Sequence, residues 1–325
     1  MPRSLLDDER FRRQFAGHET FPLRHGWLKR AADSVSADPE ARPFHSEDAI
    51  AAFGVGKNMV HSIRHWALAC RIFEEPSGSA AKSGRYTLTE FGSLIFSPMG
   101  DPYTEHPATV WLLHWHIAAL PQRATVWYWL FSEFHEPDFN REHLREALSR
   151  SLIEAGLADR TAPKTLQRDI ECLLRCYAPR VPAGGAREEH VECPFADLGL
   201  LVATGARDGY AFRRGPKRTL ADEALLYATM DFWTELHSTA NTLSLEALTH
   251  EPGSPGRVFQ LDEDSLAAAL ARLPELTHRS VRFSEAGGLR QLACDAPREV
   301  LTLEPLKALY RRELHGAGLM RRAAA

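Results

Sequence analysis

The stretch from Ala51 to Phe96 constrains the fold more than any other, because it carries the complete pattern of a winged helix. Just before it, Ser46 is a good N-cap, and Glu47 and Asp48 suit the positive end of a helix dipole. Ala49, Ile50, Ala52 and Phe53 then give a short apolar helix that Gly54 ends. After a Val55-Gly56 turn, a second helix is expected from Lys57 to about Ile72. Its apolar side is Val60, Ile63, Ala67 and Cys70, at spacings of three and four. Lys57, His61, Arg64, His65, Leu68 and Arg71 fall on the other side. A short helix, a tight turn and a longer helix with a basic outer face predict a helix-turn-helix.

The wing follows. Ile72-Phe73-Glu74 and Arg85-Tyr86-Thr87-Leu88 predict two short strands around a small-residue loop that carries Lys82. Thr89 caps a last helix with Phe91, Leu94 and Ile95, stopped at Pro98. The DNA contacts expected here are Lys57, Asn58, His61, Arg64, His65 and Lys82. The competing reading is a polar helix face that only meets water or another protein.

Net charge is −4, which argues against a protein that coats nucleic acid indiscriminately. The charge is uneven, however. Arg10 to Arg30 holds six Lys/Arg against Glu19 alone; Arg160 to Arg180 holds five against two acids; Arg207 to Arg218 holds five against Asp208. Such islands suit a localised, salt-sensitive DNA surface. Five irregularly spaced cysteines fit a reducing compartment, and no apolar run reaches the ~18 residues of a membrane span. A cytoplasmic protein without membrane contact is expected.

In chain order, Thr20 is expected to cap a first helix with Pro22 in its opening turn, leaving Arg24, Lys29 and Arg30 towards solvent. His18-Glu19 invites an acid/base or metal reading, against a plain role in bonding backbone at a helix start. Val110 to Leu120 is an apolar helix in which His114 and His116 point apart, so buried, hydrogen-bonded histidines are expected. Trp127, Tyr128, Trp129, Phe131 and Phe134 read as core packing, with base stacking as the alternative.

Asn140 to Ala155 is amphipathic, and Thr161 with Pro163 opens another helix. Leu166, Ile170, Leu173 and Tyr177 form its buried stripe and Lys164, Arg168, Glu171 and Arg175 its outer face. The pair reads as a second helix-turn-helix, with DNA contacts at Lys164, Arg168 and Arg175; the competing reading is an ordinary solvated face. Cys172, Cys176, His190 and Cys193 have a spacing that zinc can use, yet small core cysteines are the default and no metal site is assigned. The last third offers a hairpin at Asp208-Gly209, a basic loop to Arg218, helices from Asp222 and Asp262, a turn-rich linker at Pro252–Arg257, and strands around Gly287-Gly288. The fold class is mainly α with small β wings (α+β). It divides into an N-terminal winged-helix domain (1–100), a central helical domain (101–200) and a C-terminal winged-helix-like domain (201–325).

Phe15, Gly17, His18, Glu19, Thr20, Phe21, Arg24, Trp27, Leu28 and Lys29 resemble the Phe-x-Gly-His-Glu-Thr-Phe-x-x-Arg-x-x-Trp-Leu-x-Lys opening of a bacterial family linked to DNA phosphorothioation. Its best-known members are the SspB-type DNA nickases of phage-defence systems. Further likenesses lie at Gly56–Val60, Thr109–Trp115, Thr165–Ile170, Cys193-Pro194 and Ala286–Arg290, so the resemblance spans nearly the whole chain. It implies action on double-stranded DNA, nicking activity with a divalent ion such as Mg2+, and partners among phosphorothioation proteins, namely a cysteine desulfurase and ATPases. His18 and Glu19 are the catalytic candidates, with Arg24 and Lys29 positioning the phosphate backbone. The alternative is a non-enzymatic winged-helix regulator or recruiter that needs no cofactor, or a protein–protein adaptor.

Overall fold

The computed structural model describes residues 4–38, 40–45, 48–76, 83–179, 193–205 and 208–315. Ser46, Glu47, Lys82 and His190 lie outside the described residues. The chain is built around one helix that shows no polar side. α5 (Pro107–Ala118) buries every residue from Ala108 to Ala118. A helix apolar all round must be surrounded by other elements. Pro107 sits at its first turn, and His106 caps it by accepting from the Ala108 N–H at 3.1 Å.

Two histidines inside α5 act as polar staples. His114 donates from Nε2 to the Val258 carbonyl at 2.9 Å, and its Nδ1 accepts from the Tyr177 hydroxyl at 2.7 Å. His116 donates from Nδ1 to the Cys70 carbonyl and accepts at Nε2 from Tyr227, both at 2.9 Å. A carbonyl can only accept, so each ring is fixed as a neutral tautomer. Burial pushes His114 down to about 4 and His116 to about 3.

Before α5 come α1 (Trp27–Ala37), α2 (Ala49–Phe53), α3 (Lys57–Ala69), β1 (Phe73–Glu74), β2 (Thr87–Leu88) and α4 (Glu90–Ile95). Gly54 ends α2 at φ 61°, β1 and β2 pair antiparallel, and Thr89 Oγ1 accepts from the Gly92 N–H at 2.9 Å. The expected start of the first helix is corrected. α1 begins at Trp27, with Gly26 as its N-cap, not after Thr20: at φ 68° Thr20 lacks the extended conformation in which a Thr side chain caps a helix. α3 stops at Ala69, and Arg71 (φ 52°) turns away to pair with Asp231 at 3.0 Å.

After α5 follow α6 (Thr125–Tyr128), which runs on into a π-turn over Trp129–Glu133, then β3 (Asp138–Asn140), α7 (Arg141–Glu154) and α8 (Pro163–Tyr177). The aromatic cluster from Trp127 to Phe134 is buried. β4 (Leu201–Ala203) and β5 (Gly209–Phe212) form the expected hairpin, and β3 pairs with β5, so the middle and last thirds share a sheet.

The remainder is α9 (Asp222–Leu236), β6 (Thr242–Ser244), α10 (Leu245–His250), α11 (Pro255–Val258), α12 (Glu263–Leu270), α13 (Leu273–Leu276), β7 (Val281–Ala286), β8 (Leu289–Cys294) and α14 (Val300–Tyr310). β7 and β8 meet at Ala286↔Leu289 around Gly287 (φ 59°) and Gly288 (φ 79°), the two left-handed positions a two-residue hairpin needs. The stretch expected to be a linker is instead core: Ser254 caps α11, and Arg257 is buried, donating to the Ser132 carbonyl at 3.1 Å and to Phe134. Among the described residues no helix is long and apolar enough to cross a membrane.

Stability should fall as the medium is acidified before any carboxylate titrates. His65, His114 and His116 are all held below the usual histidine value by burial. The unfolded chain therefore binds more protons, and their stabilisation is present above about pH 6.5 and lost as pH falls towards the folded values. The melting temperature should drop between about pH 7 and about pH 5, with net proton uptake on unfolding in that window; a flat profile would contradict this.

Candidate nucleic-acid interface

The segment Gln14–Phe21 is an irregular loop wedged between α3 and α8. Ala16 (φ 57°), Glu19 and Thr20 are all left-handed, an uncommon density for residues with a side chain. Such a backbone persists only where its surroundings over-determine it. Here they do. Thr125 brackets Gln14, its Oγ1 accepting from the Gln14 N–H at 2.9 Å. Ser62 of α3 donates to the His18 carbonyl at 2.9 Å, Trp66 Nε1 donates to the Phe21 carbonyl at 3.0 Å, and Arg175 of α8 donates to the Thr20 carbonyl. Gly17 lies so close to His65 that a Cβ there would meet its Nδ1 at 2.2 Å.

The centre of the wedge is Asp169. Its carboxylate accepts from the Ala16 N–H at 3.0 and 3.1 Å and from His18 Nε2 at 2.8 Å. His18 Nδ1 accepts from the Thr20 N–H at 3.0 Å. An amide can only donate, so Nδ1 is unprotonated and the ring hydrogen sits on Nε2, facing Asp169. Both ring nitrogens are thus committed inside the protein, and His18 is 2% exposed between Trp66 and Trp127. Glu19 is exposed at the loop tip. The two residues proposed together from sequence therefore separate: one is core, the other surface.

On the α3 side, Lys57, Asn58 and His61 are exposed and Arg64 is half-buried, donating to the Tyr86 hydroxyl at 3.2 Å. His65 is corrected. It is 4% exposed and faces the loop and Trp66 rather than solvent, because the buried side of α3 extends to Ser62, His65 and Trp66. Leu68 is buried with it. On the α8 side, Lys164, Arg168 and Arg175 are exposed beside Glu171. Arg24 stacks over Trp27 at 5.5 Å, and Lys29 is tied to Asp33 at 2.6 Å. In the third basic island, Lys217 is turned inward onto the carbonyls of Arg213, Gly215 and Gln260, and burial lowers it to about 8.

Asp169 escaped the sequence reading, although it lies on the apolar stripe between Leu166 and Leu173, where an acid is out of place. Cys172, Cys176 and Cys193 are buried, with Cys176 between the other two, and burial pushes the Cys172 and Cys193 thiols up. Among the described residues no group of three or more His, Cys, Asp or Glu could hold a metal ion.

Residues 15–310 match the family described as "Protein of unknown function (DUF4007)". Two solved structures are similar along almost the whole chain. "Magnesium ion-bound SspB crystal structure" is 30% identical, with a TM-score of 0.84, covering 95% of this chain and 90% of that one. "SspB crystal structure" is 30% identical, with a TM-score of 0.82, covering 94% and 90%. No curated protein matches.

Removing the Asp169 carboxylate should be severe, because it strands the Ala16 N–H and the His18 Nε2–H in the interior. Asp169→Ala should cost about 2–6 kcal/mol of stability, roughly 1–3 for each of the two donors it strands. Glu171→Ala, two residues on and on the exposed face, should stay within about 0.5 kcal/mol. Chemical denaturation of the two variants checks this; equal effects would remove Asp169 from its central place.

Proposed function

The chain belongs to the DUF4007 family, and from that premise we propose that it is a DNA-binding component of a bacterial phosphorothioation and phage-defence system. The sequence likeness to SspB-type proteins and the similarity to SspB structures support the setting. The observation that carries DNA binding is a pair of basic helix faces, Lys57–Asn58–His61–Arg64 on α3 and Lys164–Arg168–Arg175 on α8. Both helices grip one rigid loop through His18. Their Lys and Arg would contact phosphates and release counterions, so binding should be steeply salt-dependent. The β1–β2 ribbon next to α3 suits the wing of a winged helix lying against the duplex backbone. Partners among phosphorothioation proteins, a cysteine desulfurase and ATPases, belong to the same reading.

A nicking role is the enzymatic form of this reading. His18 has no free ring nitrogen to take or give a proton, so it serves as the residue that positions the loop. Glu19 is left as the catalytic candidate in reach of solvent, next to Thr20, whose carbonyl takes the Arg175 guanidinium. Mg2+ is commonly held by one or two carboxylates together with waters and the substrate's own phosphates, and Glu19 is the exposed carboxylate of this loop. A recruiter or regulator without nicking activity is the second reading.

Fluorescence anisotropy with duplex DNA across a salt series tests the first claim. Lys57→Ala with Arg64→Ala should weaken binding and flatten the log–log slope by about 2, one for each lost phosphate contact; an unchanged slope removes this face. Supercoiled-plasmid nicking with and without Mg2+ separates the two readings. Glu19→Gln should abolish nicking at unchanged DNA affinity if the chain is the nickase, and no nicking by the wild type in either condition leaves the recruiter.

A further inference from the structure

α4 and α14 come from opposite ends of the sequence, yet they line one open groove of about 820 Å³. Its floor is apolar: Leu94, Met99, Val300 and Leu303. Met99 is 52% and Val300 55% exposed, so two of the few large apolar side chains left on the surface meet here. Single exposed apolar residues are ordinary, but a contiguous apolar trough rimmed by charge marks a contact surface.

At one end the groove runs into a smaller recess of about 290 Å³, and the two cavities share Glu90, Glu299 and Leu303. Deeper in the recess, Asp231 is already neutralised by Arg71 at 3.0 Å and also accepts from Trp115 Nε1 at 2.8 Å. Glu90 and Glu299 are exposed and have no ion pair among the described residues. Thr89, Thr234 and Thr302 complete a polar lining. The recess thus offers two unmatched carboxylates at the head of an apolar trough. At the far end, Lys307 pairs with Glu304 at 2.6 Å and Arg311 also lines the groove, so the unmatched acids are confined to the recess end.

We propose that this groove is the docking site for an amphipathic helix of a partner protein, whose apolar side lies on Met99, Val300 and Leu303 and whose Lys or Arg enters the recess between Glu90 and Glu299. A helix is the shape a trough between two helices accepts, read by apolar anchors spaced over successive turns. The cation is required by charge: an acidic or neutral end would leave Glu90 and Glu299 desolvated without a partner, which disfavours it. The site shares no residue with the α3 and α8 faces, so a partner can dock while DNA is held, and the proposal stands whether or not DNA binds.

The probe is a fluorescein-labelled Leu/Lys amphipathic peptide of about 18 residues, five helical turns, with a Leu/Glu peptide of the same pattern as its counterpart. The full chain should bind the Leu/Lys peptide saturably at one site and the Leu/Glu peptide far more weakly. Met99→Glu with Val300→Glu should weaken the Leu/Lys peptide roughly tenfold or more. Both positions are exposed, so the melting temperature should hold. Glu299→Lys should weaken the Leu/Lys peptide and strengthen the Leu/Glu one. Equal affinity for the two peptides, no binding, or binding that ignores these variants would overturn the proposal. So would a concentration-dependent dimer in sedimentation that Val300→Glu abolishes, since it would assign the groove to a second copy of the chain.

Discussion

A neutral imidazole buried against a carboxylate is the interaction on which the surface chemistry of this protein depends. Burying Asp169 on an apolar helix face is unfavourable by itself, and three hydrogen bonds, two from one backbone amide and one from His18, make it tolerable. In return the carboxylate dictates where the 14–21 loop lies. The loop, gripped from the other side by Ser62 and Trp66, fixes the distance and angle between α3 and α8. The basic faces of two helices remote in sequence are thereby set against each other by a contact that itself never meets solvent. Removing either partner leaves a buried polar group unmatched, so the loop's strained backbone has no comfortable alternative state.

The second constraint is α5. Because it has no polar side, every other element must find an apolar face for it, and its two histidines choose which. His114 joins α8 and α11, and His116 joins the end of α3 to α9. These bonds carry direction that apolar packing lacks, so they select one arrangement among many compact ones. The core that results runs from Leu6 to Tyr310 without a break. The α4–α14 groove is a consequence of it: the first and last parts of the chain are brought side by side, and the seam between them stays partly open.

Much of the local structure was legible in the sequence. The cap at Thr89, the helix start at Asp262 and the Gly287-Gly288 turn state their structure in a few residues, and each formed where it was expected. Periodicity gave α3, α7, α8 and α9 within a few residues of their ends. The buried state of His114 and His116 followed from their place in an apolar run. What escaped was non-local. Thr20 carries a cap's side chain, but the pull of Asp169 on Ala16 and His18, some 150 residues away, twists it out of a cap's conformation. His65 sits where a helical wheel shows a polar arc, yet the loop covers that arc, and the wheel knows nothing of the loop. Arg257 looked like part of a linker because Pro, Gly and Ser surround it; only the assembled fold offers the carbonyls of Ser132 and Phe134 that bury it. Of the proposed site, the basic residues were visible and their mutual geometry was not, since the residue that creates it reads in the sequence as a stray acid on an apolar stripe.

Amide hydrogen exchange of the free protein and of its complex with duplex DNA tests most directly whether the two helix faces form one surface around a rigid loop. In the free protein, the Ala16 and Thr20 amides should exchange slowly despite lying in a loop, because both are bonded inside. On adding DNA, residues 57–64 and 164–175 should gain protection together, at the same DNA concentration, with the loop between them. Fast exchange at Ala16 and Thr20, or protection of α3 that leaves α8 unchanged, would contradict a single surface organised by Asp169.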